Sequence, residues 1–388
     1  MKKDWELKTL GEVCDVINGG TPKTGIPEYW DGNRRWITPA EMGKRTSPYV
    51  SDTGRKITDL GLRDSSAQML PPNSVILSSR APIGYLVINT EPMATNQGCK
   101  GLIPRKEIEH KFVYYYLSSI VDLLNSLGTG ATFKELSGGK LKEITLPVPS
   151  LAEQQRIVGL LDEALESLVT AKANAEKNLQ NARALFESHL QSVFTQRGPG
   201  WVERTLGDVC DATQGVQLSK SEQFPTKLPG YRRYLYISDF ESEKNLKYVR
   251  DEHPKKLVTP DDIIVANTGS AGKIFRGIDG ILSNNLFKVS FDPATVDRDF
   301  IFFFVTSGLF REYQQSIMRG TANPHMGHVN FKSTPICIPG IETQKVVVEH
   351  IHEFANETQR LARLYERKLA ALEVLKKSLL HQAFSGEL

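Results

Sequence analysis

The residues that come closest to a catalytic loop lie between Gly128 and Lys140, in the stretch GTGATFKELSGGK. A glycine-rich loop that ends in Lys followed by Ser or Thr would bind the phosphates and the Mg²⁺ of a nucleotide. Here Lys134 stands where the first glycine of such a loop belongs, and Leu141 follows Lys140 in place of the hydroxyl ligand. The stretch is therefore predicted not to bind a nucleotide.

Other residue types with chemical potential are also isolated. The tetrad NPHM at residues 323–326 is similar to the tetrad that holds a flipped base in amino-methyltransferases, but it lacks the second proline and the stacking ring. His325 and His328 lie three residues apart without a Cys or carboxylate companion, so zinc binding is not predicted. The sequence predicts no catalytic residues, no metal and no cofactor in this chain. Four cysteines without metal-ligand spacing are predicted to be buried in a reducing compartment: Cys14, Cys99, Cys210 and Cys337.

The composition is that of a globular protein. The 388 residues are 40% hydrophobic and 24% charged, and this length suits two domains. No stretch reaches eighteen consecutive apolar residues, and the first residues lack the apolar segment of a signal peptide, so a cytoplasmic protein without membrane contact is expected. The net charge of +3 does not by itself indicate a nucleic-acid partner.

The chain contains two copies of one pattern. TLGEVCD, starting at Thr9, returns 196 residues later as TLGDVCD, starting at Thr205. Three further matches follow at an offset of 188: PPNSVILSS with TPDDIIVAN, TNQGCK with SNNLFK, and KFVYYYLSS with DFIFFFVTS. LPVPSLAEQQ then matches ICIPGIETQK at an offset of 190. The sequence therefore predicts a tandem duplication, with insertions and deletions in loops.

Each copy begins with short apolar runs separated by Gly, Pro, Asn and Asp, which is typical of a compact mixed domain. The aromatic runs at residues 112–117 and 300–305 are predicted to be helical, because apolar residues continue at helical spacing after the first of them. The predicted fold class is α+β, with two similar globular α/β domains joined by two long helices.

The second part of each copy is predicted to be one long helix. In the first helix a heptad pattern predicts a coiled-coil seam of Ile157, Leu161, Ala164, Leu168, Ala171 and Ala175. In the second helix the predicted seam contains Val347, Ile351, Phe354, Leu361, Leu372, Leu375 and Leu379, interrupted by Thr358. A helix of about forty residues rises roughly 60 Å, more than one such domain can cover. We expect an antiparallel coiled coil in which the alanines face Phe354, Leu361 and Tyr365. The alternative is that each helix packs on its own domain.

The predicted boundaries follow from these patterns. Residues 1–149 and 198–340 form the two globular domains, and residues 150–197 and 341–388 form the two long helices.

Three stretches resemble the specificity subunit of type I restriction-modification systems. They are GGTPKTGIPEYWDGNRRWITPAEM in the first domain, LPVPSLAEQQRIVGLLDE at the start of the first long helix, and SLLHQAFSGEL at the C-terminus. The resemblance covers essentially the whole chain. It implies a host-defence, DNA-reading subunit with two target recognition domains that catalyses nothing itself.

The resemblance also implies the partners. Double-stranded DNA would be bound together with two methyltransferase subunits, which use S-adenosylmethionine, and two restriction subunits, which use ATP and Mg²⁺. The second junction carries Thr343 where the first has Glu153, so one of the two partner contacts is expected to differ. A rigid spacer between two readers would fix the separation of two half-sites at about one DNA turn.

The loops GGTPKTGIPEYWDGNRRW and QGVQLSKSEQFPTKLPGYRRY occupy the same place in the two copies and share little, as expected if they read different half-sites. Arg and Lys supply phosphate contacts and bidentate guanine contacts. The candidates in the first domain are Lys23, Arg34, Arg35, Lys44, Arg45 and Arg80. The candidates in the second domain are Lys220, Lys227, Arg232, Arg233 and Lys273. Two other functions stay open: a coiled-coil scaffold that binds only proteins, and a self-contained methyltransferase or nuclease.

Overall fold

The structure is a computed structural model, and it describes residues 4–80, 82–130, 134–195, 198–268, 270–318 and 326–388. Among these residues, no helix combines the length and apolarity that a bilayer crossing needs. Residues 131–133 of the glycine-rich stretch, and residues 323–325 of the NPHM tetrad with His325, lie outside the described residues. Contacts divide the chain into unit 1, Met1–Ala175 with Arg367–Leu388, and unit 2, Glu176–Glu366.

In its described residues, unit 1 begins with a mixed domain of ten strands and six α-helices. Its strands are β1 Glu6–Thr9, β2 Cys14–Asn18, β3 Trp30–Ile37, β4 Tyr49–Val50, β5 Lys56–Ile57, β6 Val75–Ser79, β7 Ile83–Asn89, β8 Ala94–Thr95, β9 Cys99–Pro104 and β10 Thr145–Val148. Its helices are α1 Leu10–Val13, α2 Pro39–Met42, α3 Asp59–Arg63, α4 His110–Ser119, α5 Val121–Leu127 and α6 Gly138–Glu143. The long helix α7, Leu151–Thr195, follows and continues into unit 2.

The strands of unit 1 form three sheets, with the orders β1-β10, β2-β9-β6-β7-β4 and β5-β3-β8. Every residue of β6 is buried, because this strand lies between β7 and β9 and α4 covers one face. On that face Phe112, Val113 and Leu117 of α4 share a core with Val75 and Leu77 of β6. Antiparallel pairing of β1 with β10 brings the start of the domain beside the start of α7.

In the part that the structure describes, unit 2 repeats this plan with ten strands and four further α-helices. Its strands are β11 Val202–Thr205, β12 Asp211–Gln214, β13 Tyr231–Leu235, β14 Lys247–Arg250, β15 Leu257–Val258, β16 Ile263–Ala266, β17 Ile274–Phe275, β18 Gly280–Leu282, β19 Leu286–Ser290 and β20 Pro335–Ile338. Its helices are α8 Leu206–Val209, α9 Arg298–Thr306, α10 Gly308–Met318 and α11 His328–Lys332. The second long helix, α12, spans Ile341–Ser385 and ends in unit 1.

The sheet orders of unit 2 are β11-β20, β12-β19-β16-β17 and β14-β13-β18-β15, the same topology with small additions at sheet edges. The predicted helices at the two aromatic runs are confirmed as α4 and α9. One predicted offset is wrong. Asn18 pairs with Lys100 and Gln214 pairs with Phe287, so β9 and β19 are 187 residues apart rather than 188. The one-residue difference lies before β18. The Gly20 N–H donates to the Thr95 carbonyl oxygen and the Val216 N–H donates to the Leu282 carbonyl oxygen, so these two acceptors are also 187 residues apart.

The two long helices pair antiparallel within each unit. In unit 1, Lys172 Nζ of α7 lies 2.7 Å from Glu373 Oε1 of α12. In unit 2, Arg183 Nη2 of α7 lies 2.9 Å from Glu366 Oε1 of α12. These contacts define the register of α7 against α12, which could not be predicted from the sequence. The predicted fold class is confirmed.

The ends of the long helices pack against the globular cores. Phe384, near the end of α12, packs edge-on against Phe112 and Tyr116 in unit 1. Phe194, near the end of α7, packs in the same way against Phe300 and Phe304 in unit 2. The start of α7 shares the core of unit 1 through Ile157 and Leu161. The alternative that each helix packs only on its own domain is therefore wrong.

Two details of the predicted seam are also wrong. Leu361 and Leu375 are exposed, while Thr358 is buried and donates its hydroxyl hydrogen bond to the Phe354 carbonyl oxygen at 2.9 Å. Phe354 stacks on His189, with ring centroids 4.2 Å apart, rather than on the predicted alanines. Ala164 and Ala171 belong to unit 1, whereas Phe354 belongs to unit 2. The antiparallel register therefore separates residues that heptad spacing alone appeared to match.

A buried glutamine fixes the start of each long helix. Gln154 Nε2 donates to the carbonyl oxygens of Pro149 at 2.9 Å and Glu107 at 3.2 Å, and Gln154 Oε1 accepts from the Glu109 backbone N–H at 2.9 Å. Gln344 makes the same three types of hydrogen bond, to Pro339, Thr295 and Asp297. These bonds satisfy buried backbone groups and tie each helix to the preceding domain. The shared glutamine of the two junction sequences thus has a structural role.

Candidate nucleic-acid interface

The two dissimilar loops begin at equivalent positions of their domains. The Gly19 N–H donates to the Cys99 carbonyl oxygen at 3.1 Å, and the Gly215 N–H donates to the Leu286 carbonyl oxygen at 2.9 Å. A Cβ at Gly19 would lie 1.9 Å from the Asn96 carbonyl oxygen, and a Cβ at Gly215 would lie 2.0 Å from that of Ser283. Only glycine permits this close approach of two backbone segments.

Each loop is then held by a buried aromatic side chain. Trp36 of β3 donates from Nε1 to the Gly20 carbonyl oxygen at 2.9 Å. Tyr234 of β13 donates from its hydroxyl to the Val216 carbonyl oxygen at 2.6 Å. Two different side chains therefore make the same anchor, so the frame is common to both copies.

The two loops that begin at this common frame differ in structure. In the first loop, Trp30 and Arg34 both pair with Ile57, so residues 31–33 form a bulge between them. Asp31 has a φ of 58°, and a Cβ at Gly32 would lie 2.6 Å from the Ile57 carbonyl oxygen. Both loops contain a short 3₁₀ helix, Pro27–Tyr29 in the first and Lys220–Glu222 in the second, but β13 pairs with β14 without a register shift. Bulges redirect side chains, so the first domain presents Asp31 and Asn33 where the second has no counterpart.

Neighbouring arginines on β3 and β13 are held by carboxylates in both domains. Arg34 Nε lies 2.6 Å from Asp59 Oδ1, and Arg232 Nε lies 2.6 Å from Asp251 Oδ2. Arg232 also places Nη1 3.4 Å from Asp279 Oδ2. The hydrogen bond to Asp251 raises the pKa of Arg232. Because Nε of Arg34 is occupied, its terminal guanidinium edge is the part left for a ligand.

The second arginine of each pair is less accessible. Arg35 Nε lies 3.3 Å from Asp52 Oδ1, and 33% of its side chain is exposed. Arg233 Nη2 lies 3.2 Å from Asp239 Oδ1, and only 16% of its side chain is exposed. A hydrogen bond from the Thr53 backbone, followed by one from Lys56, lowers the pKa of Asp52. Arg233 therefore acts at least partly as a structural ion-pair partner.

The remaining candidates fall into two groups. Three are paired: Arg45 lies 2.7 Å from Glu41, Arg80 lies 3.7 Å from Glu135, and Lys273 pairs with Glu241. The other candidates are exposed and have no carboxylate within ion-pair distance among the described residues: Lys23, Lys44, Lys220 and Lys227.

One groove brings three candidates together. Lys227, Arg232 and Arg233 line an open groove of about 490 Å³ in unit 2, together with Tyr231 and Tyr248. Cations interleaved with aromatic rings are typical of nucleic-acid surfaces. All eleven candidates stay predictions.

Some residues of this surface were not predicted. Arg55 places its guanidinium carbon 4.0 Å from the ring centroid of Trp30 and 5.3 Å from that of Trp36. Asn33, on the bulge, is exposed, and its side chain has no hydrogen bond within the described part of the chain. Arg55 lies in a segment without a recognisable repeat, and the bulge depends on strand register. No sequence signal used above could have found either residue.

Metal binding and reactive buried thiols find no support in the described ranges. They contain no cluster of three or more His, Cys, Asp or Glu side chains that could hold a metal ion. Burial raises the pKa of the thiols of Cys14, Cys99 and Cys210 to about 12, so these are not reactive nucleophiles. His328 packs its ring against Phe287, with centroids 4.8 Å apart.

Comparison with known proteins gives consistent results. The chain is 26% identical to the type I restriction enzyme MjaIX specificity subunit of Methanocaldococcus jannaschii, across all of this chain and 94% of that protein. It is 34% identical to the EcoR124I/EcoR124II specificity subunit of Escherichia coli over 41% of this chain and 40% of that protein.

Solved structures show the same fold. A chain from work on complex assembly and conformational transition of the type I R-M system superposes with a TM-score of 0.82 at 17% identity, covering 100% of this chain and 99% of that one. The HsdS subunit from Thermoanaerobacter tengcongensis superposes with a TM-score of 0.66 at 18% identity, covering 100% and 98%.

The family model described as the type I restriction modification DNA specificity domain matches residues 2–179 and again residues 199–367. The two matches correspond to the two copies of the frame that holds the dissimilar loops. The chain therefore belongs to the family of type I restriction-modification DNA specificity proteins.

Proposed function

We propose that this chain is the non-catalytic sequence-specificity subunit of a type I restriction-modification complex and that it recognises a bipartite, asymmetric DNA target. Each globular domain would read one part of the target. The observation that supports this proposal is the common frame, Gly19 with Trp36 and Gly215 with Tyr234, carrying two unlike loops. A shared frame gives both readers the same placement, while unlike loops give them different bases to recognise.

We further propose that the chain holds two methyltransferase subunits and two restriction subunits. S-adenosylmethionine, ATP and Mg²⁺ would bind to those partners. The cytoplasm, where these partners and DNA meet, is the proposed compartment. Two linked readers also gain affinity without new contacts, because the second engagement is intramolecular and raises avidity by about 10² to 10⁴.

The test is co-expression with the methyltransferase partner, followed by mapping of methylated adenines in the host DNA. We expect a target of two short specific parts separated by unspecified base pairs. A continuous target without a gap would contradict the two-reader proposal. A chain that leaves DNA unmethylated in this assay, yet assembles with its partners, would favour a protein scaffold instead.

A further inference from the structure

One cation occupies the same place in both domains although the sequence repeat does not align it. In unit 1, the backbone N–H of Trp36 donates to the Arg55 carbonyl oxygen at 3.3 Å. This bond puts Arg55 opposite the buried Trp36 across the strand pair. In unit 2, Tyr234 of β13 pairs with Lys247 of β14. Arg55 and Lys247 are therefore structurally equivalent.

The neighbouring pairs support this equivalence. Arg34 is opposite Ile57 on β5, and Arg232 is opposite Val249 on β14. Ile57 and Val249 are both buried in their domains, so the two ladders share register as well as topology. The offset between Arg55 and Lys247 is 192 residues, which differs from every offset found in the sequence repeats.

These two cations differ electrostatically from the arginines beside them. Arg34, Arg35, Arg232 and Arg233 each have a carboxylate within 3.3 Å. Arg55 has no such partner among the described residues and is held instead by the ring of Trp30 at 4.0 Å. Lys247 is half-buried and likewise has no carboxylate partner within the described ranges. A cation held by an aromatic ring keeps its full charge for an external anion.

We propose that Arg55 and Lys247 are equivalent contacts to the DNA phosphate backbone, one in each half-site. This inference rests on the proposed function. Base reading requires side chains that differ between the domains, because the half-sites differ. Arg and Lys are not interchangeable at a planar bidentate contact, but both neutralise a phosphate, which is identical in every sequence. The pair therefore places each domain on DNA without selecting bases.

The experiment uses the full chain assembled with its methyltransferase partner. Binding to a duplex carrying the mapped target, and to a scrambled duplex, is measured between about 0.05 and 0.3 M salt. Arg55→Gln and Lys247→Gln each remove one charge and leave a shorter, polar and uncharged side chain. Each is expected to weaken binding to both duplexes roughly threefold to tenfold and to lower the salt slope of log K by about 0.9. The double variant should lower that slope by about 1.8.

Matched variants separate this contact from other effects. Lys106→Gln removes an exposed charge beyond the far end of β9, so its slope should stay as in the unmodified chain. Arg55→Lys keeps the charge and should keep the slope. Circular dichroism and partner binding identify any misfolded variant. If Arg55→Gln misfolds, the salt slopes of Arg55→Lys and Lys247→Gln test the inference in its place.

The outcomes are distinguishable. Unchanged slopes in Arg55→Gln and Lys247→Gln, with normal binding by the unmodified complex, would overturn this inference and leave the proposed function intact. The inference would also be overturned if Lys106→Gln lowered the salt slope as much as Arg55→Gln and Lys247→Gln do. A changed methylated target in Arg55→Gln or Lys247→Gln would likewise overturn it. Failure of the unmodified complex to bind DNA would instead overturn the proposed function.

Discussion

Trp36 and Gly20 are joined by a hydrogen bond of 2.9 Å from the indole Nε1 to the backbone carbonyl oxygen, and Tyr234 joins Val216 in the same way at 2.6 Å. The two bonds connect a buried strand residue to the first residues of each dissimilar loop. The two donors differ chemically, but the acceptor position is the same in both domains. The two loops therefore begin at the same position, although their sequences differ. This relationship explains how one fold can hold two different recognition surfaces.

Tyr234→Phe tests this anchor with the smallest possible change. It keeps the buried ring but removes the donor to the Val216 carbonyl oxygen, so we expect a loss of about 0.5–1.5 kcal/mol. In a unit of this size, that corresponds to a melting temperature lower by roughly 2–5 °C. Differential scanning calorimetry measures the change. Tyr85→Phe is the control, because the Tyr85 side chain is partly exposed and its hydroxyl has no hydrogen bond in the described residues. Equal shifts in both variants would contradict the anchoring role.

Gln154→Leu should be much more destabilising than Gln155→Leu, although the two glutamines are adjacent. Gln154 is fully buried and makes three hydrogen bonds with the backbone at Glu107, Glu109 and Pro149. Leucine would leave these buried groups without partners, at a cost of about 2–4 kcal/mol. Gln155 is exposed. Urea denaturation of both variants measures the difference, and similar midpoints would show that the junction does not depend on this side chain.

Much of the architecture could be predicted from the sequence because periodic burial leaves a pattern. The duplication, the helices at the two aromatic runs and the pairing of the long helices all follow from repeats and helical spacing. The register of α7 against α12 did not follow, since many antiparallel registers bury a similar stripe. Leu361 is exposed and Thr358 is buried, which is the reverse of what hydrophobicity alone indicates.

The candidate interface was less predictable. Sequence identifies Arg34 and Arg232 as cations in equivalent loops, but it does not show that carboxylates 2.6 Å away hold them in place. Arg55 and Lys247 became equivalent only through strand pairing. Ion pairs and strand register depend on tertiary placement, which a single sequence does not encode locally.

The cysteines provide a test of core packing. Burial raises the pKa of Cys14, Cys99 and Cys210 to about 12, so at pH 8 these thiols stay protonated and unreactive. Cys337 is only partly buried. With iodoacetamide at pH 8, mass spectrometry should find the folded protein modified first at Cys337 and the protein in urea modified at all four. Rapid modification of Cys99 in the folded protein would contradict the described core.

The first turns of α1 and α8 should make stability depend on pH in the acid range. The Thr9 N–H donates to Glu12 at 2.6 Å and lowers the pKa of that carboxyl; the Thr205 N–H does the same to Asp208 at 2.7 Å. A lowered folded-state pKa stabilises the fold above the unfolded value, and this contribution is lost as pH falls through the folded value. Glu12→Gln should therefore be less stable than the unmodified chain at pH 7. The difference should shrink below about pH 4.5, the ordinary range of a glutamate. A difference in urea midpoint that does not vary with pH would contradict this capping role.

The bulge at residues 31–33 should determine part of the DNA target, if the proposed function holds. It interrupts the pairing of β3 with β5, and its Asp31 has a positive φ. The exposed side chain of Asn33 has no hydrogen bond in the described structure. An asparagine can bond adenine through two hydrogen bonds, and such a contact discriminates by about 1–3 kcal/mol. Asn33→Ala should therefore relax selectivity at one base pair in one half of the methylated target. The other half should stay unchanged because unit 2 has its own loop. Asn181→Ala, on the exposed surface of α7, is the matched control and should leave both halves intact. A methylated target that is identical in Asn33→Ala and in the unmodified complex would exclude Asn33 as a base-reading residue.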